Sequence, residues 1–243
     1  MTQNDNPAGR LYHILKEAKE KPGGNSTGQV WAEVLNADTG DKYEILKRVS
    51  SLQTLVKETE LLIESRSDLN TNLYLRSFPR IRSVTSGENL AASWSNYQNN
   101  ITDETLTRLE FCSEVLSHTS AEETITEEEL ETIKKEVEEL RSSIHESNIN
   151  FELKVIILDQ VEAIRRSIEE YKIRGIKSLK NALEANIGSI IVHQDLYKKS
   201  EEKELIEKLG ELIDKIDTVT SKILKVKKVI STVGKLIGLP SPD

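Results

Sequence analysis

Cysteine is almost missing from this chain: Cys112 stands alone among 243 residues. One thiol closes no internal disulfide and supplies no paired-cysteine metal site. Glycine and proline are scarce, at 11 and 5, and aromatic residues make up only 5%. A sandwich of short strands or a doubly wound sheet builds its turns from glycine and proline, so both architectures are poorly served. No apolar run approaches the ~20 residues that cross a bilayer as a helix. The first six residues are polar and lack the basic-then-apolar order of a secretory signal, which sets the expectation of a cytoplasmic protein. Excess positive charge is absent as well. With 33 basic and 41 acidic residues the formal charge is −8, which argues against nucleic acid as the primary partner.

Catalytic signatures are wanting too. There is no Gly-x4-Gly-Lys-Ser/Thr phosphate loop, no Gly-x-Gly-x-x-Gly and no His-Glu-x-x-His. The four histidines, His13, His118, His145 and His193, are scattered. Glu110, Glu114 and His118 recur at steps of four on one helix. Metal sites in helical bundles repeat Glu-x-x-His on more than one helix, so a solvated polar face explains them better. Residues 36–41 resemble a calcium loop only faintly, with the glycine misplaced and the twelfth-position Glu missing; a helix-capping loop fits them. The expectation is therefore a protein that is not an enzyme and holds no cofactor and no metal.

What is present is helical patterning. Charged residues reach 30% and hydrophobic ones 37%, the balance expected of thin helices that bury a narrow stripe. Asn6-Pro7 is a cap followed by a first-turn proline and starts a helix that ends at Pro22-Gly23-Gly24. Ser26 with Gln29 opens a short helix bearing Trp31, and a long one follows from about Lys42 to Ser65, with Ile45, Val49, Leu52, Val56 and Ile63 on one face. The next stretch is less regular. A short helix near residues 69–75 is stopped by Phe78-Pro79, another is expected over 88–99, and Thr102 caps one that runs to His118. From Thr126, a cap with Glu129 three places on, regularity returns. Asn150 starts what reads as one long helix through Val161, Ile168, Leu179 and Ile190, kinked near Gly175. The composition shift suggests an N-terminal helical region, 1–120, and a C-terminal long-helix bundle, 121–243. The fold class expected is all-α, an elongated antiparallel bundle with long coiled-coil-like helices.

The last forty residues carry the most regular pattern. Leu205, Leu209, Leu212, Ile216, Val219, Ile223, Val226, Ile230, Val233 and Ile237 recur at alternating steps of four and three, the seam of a helix that lies along another helix. Ile206, Ile213, Leu224, Val229 and Leu236 widen the stripe, and a wide stripe wants neighbours on two sides. Those neighbours are either helices of the same chain or a partner engaged through Leu209, Leu212, Ile216, Val219, Ile223, Val226, Ile230, Val233 and Ile237.

Charge adds three more candidate surfaces. Lys222, Lys225, Lys227, Lys228 and Lys235 make residues 222–239 a cationic amphipathic segment with no acid. Such a segment suits either the negative end of its own helix dipole, an acidic partner, or an anionic membrane. Arg165, Arg166, Arg174 and Lys177 form a second basic region, suited to phosphate, to an acidic partner or to pairing with nearby glutamates. Tyr74, Arg76, Phe78, Arg80 and Arg82 interleave rings with cations, and are best read as a basic loop with its rings turned inward. Residues 122–146 are the opposite, with ten Glu against three cations, best read as a solvated face.

The function expected from all this is a non-enzymatic α-helical interaction or assembly subunit. Its partner would be another protein or a second copy, met through coiled-coil-like packing. One alternative is a membrane-active effector working at the membrane periphery through 222–239. Another is a helical metal-dependent nuclease, which would need carboxylates converging from several helices.

Overall fold

The computed structural model describes residues 6–122 and 124–221. Those residues form thirteen helical segments and no strand, with one isolated antiparallel bridge between Ser26 and Ser93. The all-α class is what the structure shows. The chain divides into two compact units, Met1–Thr124 with Lys172–Gly175, and Ile125–Tyr171 with Ile176–Asp243.

In unit 1, α1 (Pro7–Lys19) packs along α3 (Lys42–Glu64) and α7 (Asp103–Ser117), with α2 (Thr27–Val34) against its end. The caps come from local chemistry. Asn6 Oδ1 accepts from Gly9 N at 3.0 Å, Ser26 from Gln29 N, Asp41 from Tyr43 N and Glu44 N, and Thr102 from Thr105 N. Each acceptor satisfies a backbone N–H that the first helical turn leaves open. Leu11, Leu15, Leu52 and Leu109 meet in the core, where Trp31 and Trp94 stand edge to face at 5.4 Å. Trp94 Nε1 donates to Ala18 O at 3.0 Å, tying residues 86–98 over the α1–α2 connection.

Two details depart from expectation here. Of 88–99 only α6 (Ser95–Gln98) is helical. The preceding backbone instead pairs with the first turn of α2, with Thr27 N donating to Ala92 O and Gly28 N to Leu90 O. The ring-and-arginine stretch is not a loop but two short helices, α4 (Thr71–Leu75) and α5 (Phe78–Val84). Pro79 ends nothing beyond α4; it sits in the first turn of α5, where its missing N–H costs no bond.

Unit 2 is a ring of four helices. In it α8 (Glu127–Glu146) packs on α9 (Phe151–Glu169), α9 on α11 (Ile176–Val192), α11 on α13 (Lys203–Ser221), and α13 back on α8. A short α12 (Gln194–Lys199) lies between α11 and α13, and α10 (Tyr171–Arg174) is a single turn between α9 and α11. Thr126 and Glu129 complete a reciprocal capping box at the start of α8. Asn150 caps α9 by accepting from Glu152 N at 2.9 Å.

The expected long helix over Asn150–Ile190 is therefore corrected: the chain reverses. Gly175 takes φ +59°, which ends α10 in the left-handed region. The arms then run antiparallel, with Gln160 Nε2 donating to Asn186 O at 3.2 Å and Ser178 Oγ to Ser167 O at 2.8 Å. The apolar pattern resumes at Ile176 after the reversal because both arms face one core, built from Ile157, Val161, Ile164, Leu179 and Leu183.

Candidate partner-binding surface

The seam of α13 starts inside the bundle. Leu209 and Ile216 are fully buried, Leu212 is 2% exposed, and Val219 is partly buried, all against the unit 2 core. Helices of the same chain shelter this half. Ile223, Val226, Ile230, Val233 and Ile237 lie outside the described residues, as do Lys222, Lys225, Lys227, Lys228 and Lys235.

The register of α13 against α8 fixes where the bundle ends. Asn148 N donates to Glu202 Oε1 at 3.3 Å, and Lys215 pairs with Glu136. The two helices are antiparallel, and Ser221 comes level with Leu130. Beyond that level α8 has about one turn left before its Thr126 cap.

Arg165 and Arg166 are tied down by acids of their own helix. Arg165 donates to Glu162 at 2.7 and 2.8 Å and reaches Glu169, and Arg166 Nε lies 2.7 Å from Glu162 Oε1. The hydrogen bonds from Arg165 hold the Glu162 carboxyl down at about 2, with Arg166 adding to the pull against partial burial. Arg165 is pushed the other way by the same bonds, so both groups stay charged at neutral pH. Arg174 belongs to unit 1 and Lys177 to unit 2, and each has interactions of its own. In unit 1, Phe78 is buried, while Arg82 pairs with Glu60.

A polar cluster in the bundle core was not anticipated. Tyr197 OH donates to Gln160 Oε1 at 2.6 Å, and Asn186 Nδ2 donates to Ala182 O at 2.8 Å. All three side chains are at most 4% exposed, and Asn186 Oδ1 has no hydrogen-bond partner. A signal for it existed: Gln160 and Asn186 interrupt the apolar stripes of α9 and α11 at core-facing positions.

Chemistry in the described part is sparse. Among the described residues no group of three or more His, Cys, Asp or Glu is placed to hold a metal ion. Glu114 and His118 are exposed. Burial pushes the Cys112 thiol up to about 12, so it carries little thiolate at neutral pH. No described helix is long and apolar enough to cross a membrane. Exposed apolar side chains include Phe151 and Val155, one turn apart on α9, at 79% and 42%. No protein-family model, curated protein or solved structure matches the chain.

Proposed function

We propose that the protein is a non-enzymatic helical interaction subunit whose C-terminal segment, 222–239, makes the contact. The partner is another protein or a second copy that offers an apolar helix face. One observation carries the reading. Among the described residues the bundle takes up the first half of the seam, and α8 has about one turn left beyond the level of Ser221. The sequence continues the same spacing to Ile237, and each Leu or Ile side chain that finds cover there contributes about 1.5–3 kcal/mol. The five lysines favour a partner face that is acidic at its rim.

The cationic character also supports a second reading, contact with an anionic membrane surface. One experiment separates them. The full chain and a chain ending at Ser221 are compared by light scattering, by co-purification, and by flotation with phosphatidylserine-containing vesicles. The reading expects discrete assemblies from the full chain and none from the truncated one, with tryptophan emission identical in both. An assembly that survives truncation, or a full chain that stays monomeric and retains nothing, overturns it. Vesicle binding by the full chain alone, without assembly, favours the membrane instead.

A further inference from the structure

Four residues of unit 1 come from far along the chain. Lys172–Gly175 follows the whole of α8 and α9 in sequence, yet it belongs to unit 1, as do Arg10, Glu17, Val34 and Glu122. Ile173 is fully buried in that unit's apolar core. Arg10, 3% exposed on α1, donates Nε–H to Ile173 O at 3.1 Å and pairs with Glu122 at 2.7 Å. Lys172 Nζ lies 2.7 Å from Glu17 Oε2 and 2.6 Å from Val34 O. Gly175 passes so close that a Cβ there would sit 2.5 Å from Arg10 Nη1 and 2.7 Å from Glu122 Oε2.

These contacts depend on one another. A buried guanidinium must keep its acceptors, and one of those acceptors is the carbonyl of the residue that fills the core. The glycine lets the backbone approach the ion pair, in a left-handed conformation that a side chain would strain. Withdrawing the turn would open the Ile173 socket and leave the Arg10 Nε–H buried without its carbonyl.

The geometry points to a lock: Lys172–Gly175 is a removable plug that holds unit 1 closed. Displacing this one turn, as a partner gripping it would do, converts into loss of order in unit 1, while the four-helix ring of unit 2 keeps its own core. The inference does not rest on the proposed role of 222–239.

The two tryptophans, Trp31 and Trp94, both lie in unit 1, so their emission reads that unit alone. Amide hydrogen exchange of α8, α9, α11 and α13 reads the other. In the full chain, Ile173→Asp is expected to lower the tryptophan-detected thermal midpoint by roughly 10 °C or more. Exchange protection in the unit 2 core should persist, and Ile173→Val should return the midpoint close to the parent's. Ile173→Ala serves the same comparison where the Asp variant does not fold. A tryptophan midpoint unchanged by both Ile173→Asp and Ile173→Ala overturns the lock. So does equal loss of protection in the two units, because the turn would then serve both cores.

Discussion

Tyr197 shows how much one buried atom can decide. Its hydroxyl is the donor for Gln160 Oε1 at 2.6 Å in a core with little else that is polar. Burial pushes the phenol upward, against the hydrogen bond to Gln160, so the proton stays on oxygen throughout the neutral range. Removing that proton donor strands a buried carbonyl, and an unmade bond of this kind costs about 1–2 kcal/mol. Tyr197→Phe is therefore expected to lower the unfolding free energy by that amount, read as a lower urea midpoint at unchanged slope, since the area exposed on unfolding is nearly the same. A Phe variant as stable as its parent would show that Gln160 has found another donor. The neighbouring Asn186 Oδ1 lacks a partner, so the cluster is not tuned for stability alone. Polar groups placed this way fix which residues of two antiparallel helices stand opposite each other, because any slip leaves more of them unpaired.

At the scale of the element, caps were readable in the sequence and chain reversal was not. Asn6, Ser26, Thr102, Thr126 and Asn150 each accept the backbone N–H that their position in the sequence implies. A cap is a local event, decided by a side chain within three residues of its donor. The reciprocal pair at Thr126 and Glu129 makes this quantitative. Thr126→Ala removes the acceptor for Glu129 N and is expected to cost about 1 kcal/mol, visible as a lower thermal midpoint of the bundle by circular dichroism. No change would mean that the three first-turn glutamates carry the helix start through the dipole alone. The α9–α11 reversal escaped because apolar spacing records which face is buried, not which way the chain travels. Apolar residues continue across the turn at Tyr171, Ile173 and Ile176, although Ile173 serves one core and Ile176 the other. Gly175 and a five-residue step from Tyr171 to Ile176 mark the place, and a single glycine inside a helical pattern is an ambiguous sign. The same blindness covers the candidate surface. The seam spacing said that α13 would be sheltered, but not that α8 and α11 would do it.

For the whole molecule, the net charge of −8 makes acid the informative perturbation. Two carboxylates respond in opposite directions. Glu162, part-buried beneath Arg165 and Arg166, titrates near 2 in the fold against an ordinary 4.5. The folded state thus holds fewer protons there, so the contribution is complete above about pH 4.5 and is lost as pH falls toward 2. Discounted for its exposure, it is on the order of 1–2 kcal/mol. Asp214 runs the other way. Burial raises its carboxyl, with Asp217 and Glu211 adding repulsion. Its folded form binds a proton more readily than the unfolded chain, so acidification through its raised value gives a small gain that opposes the Glu162 loss. Asp68, Asp103 and Glu104 are also held low by their cations, but at full exposure that pairing is screened by water. The stability profile should therefore be flat from pH 7 to about 5, then fall below about 4.5. Denaturant titrations at each pH test the shape, and Glu162→Gln tests the cause. The variant should lose stability at pH 7 and show a shallower acid limb, meeting the parent only below about pH 2, where both carry a neutral side chain at that site. An acid limb as steep in the variant as in the parent would move the titrating group elsewhere, to the self-repulsion of a chain whose 33 cations are no longer balanced once its carboxylates are protonated.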